Sequence, residues 1–452
     1  MSTSVKEITY SPFRWFVLLT LFIVTGTTAV ALIAPAPMIP GIFASFLPDP
    51  SIAGDILSGN TPLPDGALNI GEIANVAMLY FNLAVAVGAL GGGWFIDKFG
   101  FLAVYFFGIS MIAIGWILMP SVGQTVGGVV LLRVIQGLGT GPIMASSASV
   151  AARRFPVNER AIVTGTQGAA MAAGVGIGQL TMGGVLEAHA GSFQDALFSL
   201  WPIAAVALVM ALIVAFGPKQ AEVRAEDMTP AERSAVQHQL RAALRHPVTW
   251  AAIACVFILS WVYQAFNDLS PTYLTNGDIG VGFAAGGTML AIAQAFNFAG
   301  AFAAGAFTEK LMRGRVRPGI ILGFSMGAIF GLAMLAPFAT SNAVVMGIVV
   351  CIAGFFFAWI NPNALAYLAK SYPQSAGKLG GYAMGLGIFG GSAGVWAGAH
   401  ALGATGHFTL SIVIMSVVCA LGIIPALFLK QAKVDHASLV TAEAETATVE
   451  SI

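Results

Sequence analysis

The stretch Gly93-Trp-Phe-Ile-Asp-Lys-Phe-Gly100 separates two apolar runs in the first half of the chain. A related stretch, Gly305-Ala-Phe-Thr-Glu-Lys-Leu-Met-Arg-Gly-Arg315, occupies the corresponding place in the second half. In each stretch a glycine is followed, at the same spacing, by an acidic residue and then a lysine. Shared glycines alone are weak evidence in a glycine-rich chain, but the recurring acid-lysine pair predicts an internal repeat of two related halves.

The composition is typical of a membrane protein. Of the 452 residues, 57% are hydrophobic and 9% are charged, and the mean hydropathy is +0.85. Soluble proteins carry about 25% charged residues, so this chain has too few charges to cover the surface of a soluble fold. Its 54 glycines fit helices that approach each other closely in lipid. The composition excludes a soluble enzyme, a disordered chain and a coiled coil, and the net charge of zero gives no electrostatic footprint for nucleic acid.

Hydropathy predicts the number of membrane crossings. A helix that crosses a bilayer needs about 20 mostly apolar residues. Twelve such runs occur, at 15–38, 73–96, 101–119, 123–150, 161–186, 196–217, 248–274, 282–306, 318–338, 343–369, 379–402 and 408–430. The predicted fold class is therefore an all-α membrane protein with twelve transmembrane helices in two pseudo-symmetric six-helix bundles.

The same runs predict the domain organisation. An N-terminal six-helix bundle covers 1–217 and contains a long extracytoplasmic loop at 41–71. A polar cytoplasmic loop covers 218–247, and a C-terminal six-helix bundle covers 248–430. The tail at 431–452 has no packing pattern and is predicted to be disordered.

The distribution of basic residues predicts the orientation. Nineteen of the 20 Lys and Arg residues fall in the tails or loops of one side, and the exception, Arg133, lies within a span. Basic residues concentrate in cytoplasmic loops. We therefore predict that both termini are cytoplasmic and that the protein is a multi-pass component of the plasma membrane, or of the inner membrane if the cell is bacterial.

Two motifs resemble those of the major facilitator superfamily. The first stretch, with Asp97-Lys98, is similar to the family's signature between spans two and three, and Arg133-Val-Ile-Gln136-Gly is similar to its signature in span four. The chain departs from the first signature at Phe101-Leu102, which replace a basic pair. The resemblance implies the family's fold, with spans one, four, seven and ten around a cavity. It also implies that residues at the two matching turns help to lock one facing state, namely Asp97, Lys98, Glu309 and Lys310.

Two formally charged side chains lie deep in the predicted spans, Arg133 in span four and Asp268 in span seven. Ionisable residues within a membrane are costly and are functional candidates by default. Both are expected in the outer half of the bilayer, where they could face each other. We predict that Asp268 couples transport to protons and that Arg133 binds substrate. The alternatives are that Arg133 has a structural or proton-coupling role and that Asp268 is wetted and inert.

Uncharged side chains within the spans supply further candidates for binding substrate. They share a polar or aromatic group at span depth: Tyr80, Gln264, Asn297, Trp359, Asn361, Asn363 and Tyr382. Asn361-Pro-Asn363 is favoured as a cavity element, because amides facing lipid are costly. Aromatic residues at helical spacing are more often packing than binding. Asn82, Gln167 and Gln294 complete the polar inventory without an assigned role.

These features predict a secondary active transporter and not an enzyme. The expected activity is proton-coupled symport of a small polar organic solute or anion by alternating access. Proton-coupled export of a metabolite or toxic compound is the alternative, and a transporter-derived sensor is a third interpretation. The expected partners are a small-molecule substrate, protons and the lipid bilayer, with no nucleic acid, and the protein is expected to be a monomer. No cofactor or metal is expected, and a nucleotide-binding Gly-Lys-Ser/Thr loop is absent from the sequence.

Overall fold

The computed structural model describes residues 11–155, 159–218, 230–275, 279, 281–372 and 375–429. Across these residues the regular structure is helical, without a β-strand. The predicted tail at 431–452 and part of the predicted central loop lie outside the described residues. Within the described parts of the chain, ten helical segments are long and apolar enough to cross a membrane, and Phe101–Ile117 is a shorter apolar helix.

Every predicted apolar run coincides with a helix. In the first half these helices are α1 (Arg14–Ile33), α2 (Tyr80–Phe99), α3 (Phe101–Ile117), α4 (Val126–Met144), α5 (Arg160–Ala188) and α6 (Trp201–Phe216). In the second half they are α7 (Pro247–Thr275), α8 (Phe283–Ala306), α9 (Val316–Ala333), α10 (Ala343–Phe357), α11 (Ala376–Thr405) and α12 (Phe408–Leu421). Shorter helices continue α10 over Ile360–Ser371 and α12 over Ile423–Phe428.

The predicted first loop is itself partly helical. A 3₁₀ turn at Ala36–Met38 leads into a short helix at Ile39–Ser45, and further turns follow to residue 57. The next helical segment is Ile70–Ala74, where the side chains and backbones of Asn69 and Glu72 form a capping box. A π-helical turn, Asn75–Leu79, joins this short helix to α2.

Helices α1–α6 form a first bundle and α7–α12 a second. In the first bundle α2 and α3 pack against α4, while α1 packs against α5. In the second bundle α7 packs against α11, and α10 packs against α8 and α9. The two bundles meet where α5 packs against α8 and α2 packs against α11.

The bundles are in close contact at one end. We call it the first-loop end, because it carries residues 34–69, and we call the opposite end, which carries Lys98 and Arg315, the basic end. At the first-loop end, a Cβ added to Gly71 would overlap the carbonyl of Ala399, and one added to Gly287 would overlap the carbonyl of Gln179. Toward the basic end, Gly168 of α5 and Gly305 of α8 have no described atom within 4 Å of an added Cβ. These contacts fit a conformation that is closed at the first-loop end.

Candidate functional site

Arg133 lies inside the first bundle and is hydrogen-bonded mainly to the backbone. Its side chain is 1% exposed. Nε donates to the carbonyl of Ala77 at 2.6 Å, Nη1 to that of Ala31 at 2.7 Å, and Nη2 to that of Leu32 at 3.2 Å. Nη1 also donates to Oε1 of Gln136 at 2.9 Å. The guanidinium therefore joins α4 to the end of α1 and to the π-helical turn that precedes α2.

The local sequence explains why these carbonyls are free to accept. Pro35 has no N–H, so the carbonyl of Ala31, four residues earlier, lacks its helical donor. The last carbonyls of α1 also form the negative end of a helix dipole, which favours a cation. The third carbonyl, that of Ala77, belongs to the π-helical turn. The guanidinium carbon lies 4.1 Å from the ring centroid of Phe81, a cation–π contact.

Asp268 of α7 is fully buried between the bundles. Its Oδ1 accepts a 2.8 Å hydrogen bond from Nε2 of Gln264, one turn earlier on the same helix. Its Oδ2 accepts a 3.4 Å hydrogen bond from Nδ2 of Asn82, on α2 of the other bundle. Amide donors are therefore its hydrogen-bond partners among the described residues, without a salt bridge to a basic side chain.

A cluster of amides surrounds the neighbouring residue, Asn267. Its Oδ1 accepts from Nε2 of Gln294 at 2.6 Å, and its Nδ2 donates to the carbonyl of Tyr263 at 2.8 Å. The Tyr263 hydroxyl donates to Oε1 of Gln294 at 2.8 Å. From the first bundle, Nε2 of Gln179 lies 3.3 Å from Oδ1 and 3.4 Å from the backbone oxygen of Asn267. Pro271, four residues after Asn267, leaves that backbone oxygen without a helical donor.

The two predicted charged side chains contact the same chain segment, residues 77–82. Arg133 bonds to Ala77 and stacks on Phe81, whereas Asp268 accepts from Asn82. Both side chains therefore contact the segment 77–82, which links the two sites. These two described side chains do not form a direct ion pair in this conformation.

The other predicted binding residues lie in several environments. Gln264 is bonded to Asp268, and Asn297 donates to the carbonyl of Gly354 at 2.9 Å within the second bundle. Asn363 accepts from the hydroxyl of Thr308 at 2.7 Å, again within the second bundle.

The aromatic candidates and Asn361 make different contacts. Trp359 is buried against Phe307, Phe355 and Phe356. Its Nε1 and Oδ1 of Asn361 have no described hydrogen-bond partner. Tyr80 and Tyr382 are about two-fifths exposed, at 39% and 43%. The structure thus brings only Gln264 of the uncharged candidates into contact with Asp268.

Of the predicted gating residues, the two lysines can be described. Lys98 is exposed, and its Nζ lies 4.9 Å from the ring centroid of Trp94. Lys310 is also exposed. The side chains of Asp97 and Glu309 lie outside the described ones. The predicted gating pairs therefore stay predictions.

Sequence reasoning missed most of the amide cluster. Asn82 and Gln294 were in the polar inventory without a role, and Tyr263, Asn267 and Gln179 were not singled out. The available signal was the position of Asn267, which immediately precedes Asp268 and lies one turn before Pro271. Among the described residues, no group of His, Cys, Asp and Glu could hold a metal ion.

Comparisons with known proteins agree with this architecture. The sequence model of the family described as Major Facilitator Superfamily matches residues 16–395. No curated protein matches in a sequence comparison. A solved structure described as the crystal structure of D-xylose-proton symporter is similar, with a TM-score of 0.68 and 16% identity, over 93% of this chain and 97% of that one. At this identity the likeness shows the fold alone. The predicted all-α membrane fold is confirmed, while the count of twelve crossings and the orientation of the termini stay predictions.

Proposed function

Because the chain belongs to the major facilitator superfamily, whose members are transporters and not enzymes, we propose that it carries out proton-coupled symport of a small polar organic solute by alternating access. The family membership makes it a multi-pass membrane protein that acts in secondary transport. The substrate, the coupling ion and the direction belong to the proposal.

Asp268 is the observation that carries the proposed proton coupling. It is a carboxyl group buried where the two bundles meet, and it is bonded to amides from both of them. A carboxyl in this position changes surroundings when the bundles move, so it can take a proton in one facing state and release it in the other. Buried ionisable residues facing a bundle interior commonly mark proton relays.

The hydrogen bonds that Arg133 already makes within the protein favour an uncharged substrate over the predicted anion. An arginine has five N–H donors, and four hydrogen bonds already occupy this guanidinium. An anion that accepted two hydrogen bonds there would have to displace Gln136 or one of the backbone carbonyls. By contrast, Oε1 of the buried Gln179 has no described partner and is available to a substrate's N–H or O–H group. We therefore expect a solute that offers hydrogen-bond donors.

The remaining proposals concern the setting of the protein. We propose that the basic end faces the cytoplasm, as the basic loops predict, that the protein resides in the plasma membrane, and that it acts as a monomer. Asp97, Lys98, Glu309 and Lys310 at the basic end are proposed to close that end in the opposite facing state. Tyr80, Asn297, Trp359, Asn361, Asn363 and Tyr382 remain proposed contacts for substrate in such a state.

Transport by the purified protein in proteoliposomes tests this proposal. A panel should include D-xylose as a neutral solute and succinate as an anion, with a pH-sensitive dye inside the vesicles. Symport predicts saturable solute entry accompanied by acidification of the lumen when the outside is acidic. Entry of succinate in preference to every neutral solute would contradict the assignment of Arg133, and solute entry without proton movement would contradict the coupling.

A further inference from the structure

Two side chains of the first bundle, Asn82 and Gln179, donate the hydrogen bonds that join the bundles where Asp268 and Asn267 lie next to each other on α7. Asn82 of α2 donates to the carboxylate of Asp268, and Gln179 of α5 donates to the oxygens of Asn267. All four side chains are at most 3% exposed. Both donors belong to the first bundle and both acceptors to the second, so these bonds cannot survive if the bundles separate here.

The geometry of these hydrogen bonds suits a reversible closure. Their lengths of 3.3 to 3.4 Å are longer than is usual for N–H···O hydrogen bonds in proteins. Bonds within one bundle are shorter, as at Gln264 and Gln294 with 2.8 and 2.6 Å. The bonds between the bundles are thus the weaker members of the network.

We propose that Asn82 and Gln179 are positioning residues that hold the transporter closed at its first-loop end, and that opening at that end requires both of their hydrogen bonds to α7 to break. This inference rests on the proposed alternating access. It adds two residues, one on α2 and one on α5, whose proposed role in closure is exerted through their hydrogen bonds to α7.

Thr272 provides a reporter for opening at this end. It lies one helical turn beyond Asp268 toward the first-loop end, is 2% exposed, and has no described hydrogen-bond partner for its hydroxyl. A Thr272→Cys variant in a background with Cys255, Cys351 and Cys419 replaced by alanine should react slowly with a charged methanethiosulfonate reagent. The full-length protein in lipid nanodiscs presents both faces to the reagent, so the measurement depends neither on a substrate nor on the membrane orientation.

The test variants remove a donor while keeping the side-chain volume. Asn82→Leu and Gln179→Met should each raise the labelling rate of the reporter about threefold or more, and the double variant about eightfold. These factors correspond to the average strength of hydrogen bonds between membrane helices. Gln167→Met is the matched control, because it removes an amide that donates to the carbonyl of Met144 inside the first bundle. It should leave the labelling rate unchanged.

Unchanged labelling in both single variants would overturn the proposal, even if transport proceeds as proposed. An equal rise in the Gln167→Met control would also overturn it, because general loosening of the bundles would then explain the effect. If the double variant does not fold, the two single variants still decide the matter. Loss of proton coupling with an intact labelling pattern would contradict the proposed function and leave this closure standing.

Discussion

Two prolines, one in each bundle, free a backbone carbonyl near the first-loop end, and the groups that bind these carbonyls differ. Pro35 frees the oxygen of Ala31, which accepts from Arg133 of the same bundle at 2.7 Å. Pro271 frees the oxygen of Asn267, which accepts from Gln179 of the other bundle at 3.4 Å. A short, charge-assisted bond within one bundle stabilises a rigid unit. A long, neutral bond between bundles can break whenever they separate.

The largest effect on stability should come from replacing Arg133, the charged donor in this comparison. Arg133→Leu leaves three buried backbone carbonyls without their donor, and hydrogen bonds to charged groups are worth about 1.5–3 kcal/mol each. We expect thermal unfolding of the purified protein to show a loss of at least about 3 kcal/mol. Arg133→Lys keeps the charge but not the fork geometry, so its loss should be intermediate. A normally stable Leu variant that fails only to bind substrate would show that the guanidinium serves the substrate instead.

A second prediction concerns the close approach of α5 and α8. Gly287→Ala places a methyl group against the carbonyl of Gln179, which belongs to the other bundle. The bundles must move apart there, so the Thr272→Cys reporter should react roughly tenfold faster, a shift of about 1.4 kcal/mol. Gly305→Ala, where an added Cβ has no described neighbour within 4 Å, is the control and should have no effect. Equal labelling in the two variants would mean that the bundles do not close against each other at Gly287.

The sequence predicted much of the fold because hydropathy and helix length are local properties. All twelve apolar runs coincide with helices, and the two motifs with Asp97-Lys98 and Arg133 correctly indicated the family. The partners of Arg133 could not be predicted, because they are backbone carbonyls, which every residue carries. Gln179 and Asn267 were missed because their proximity depends on how the two bundles pack. The hydrophobic periodicity of a single helix does not contain that information. Pro35 and Pro271 were the signals present in the sequence. Each lacks the N–H that would bond to the carbonyl oxygen four residues earlier, and so marks that oxygen as free.

The two prolines themselves provide the smallest and most specific prediction. Pro271→Ala restores an N–H that can bond to the oxygen of Asn267 and compete with Gln179. It should raise labelling of the Thr272→Cys reporter about twofold, or roughly 0.4 kcal/mol. Pro35→Ala restores the corresponding donor for Ala31, but Arg133 keeps its bonds to Ala77 and Leu32. Labelling should then stay at the parent rate. A larger increase in the labelling rate from Pro35→Ala than from Pro271→Ala would contradict the distinction between a rigid bond within one bundle and a breakable bond between bundles.

The central claim is that Asp268 is the carboxyl that couples transport to protons. Asp268→Asn tests it most directly, since asparagine keeps the shape and polarity but does not titrate between pH 5 and 8. Proteoliposomes should be loaded with the solute that the transport panel identifies, and Asp55→Asn, in the exposed first loop, is the control. We predict that Asp268→Asn still exchanges labelled for unlabelled solute but no longer concentrates it when a pH gradient is applied. Accumulation equal to that of the parent and the Asp55→Asn control would contradict the claim.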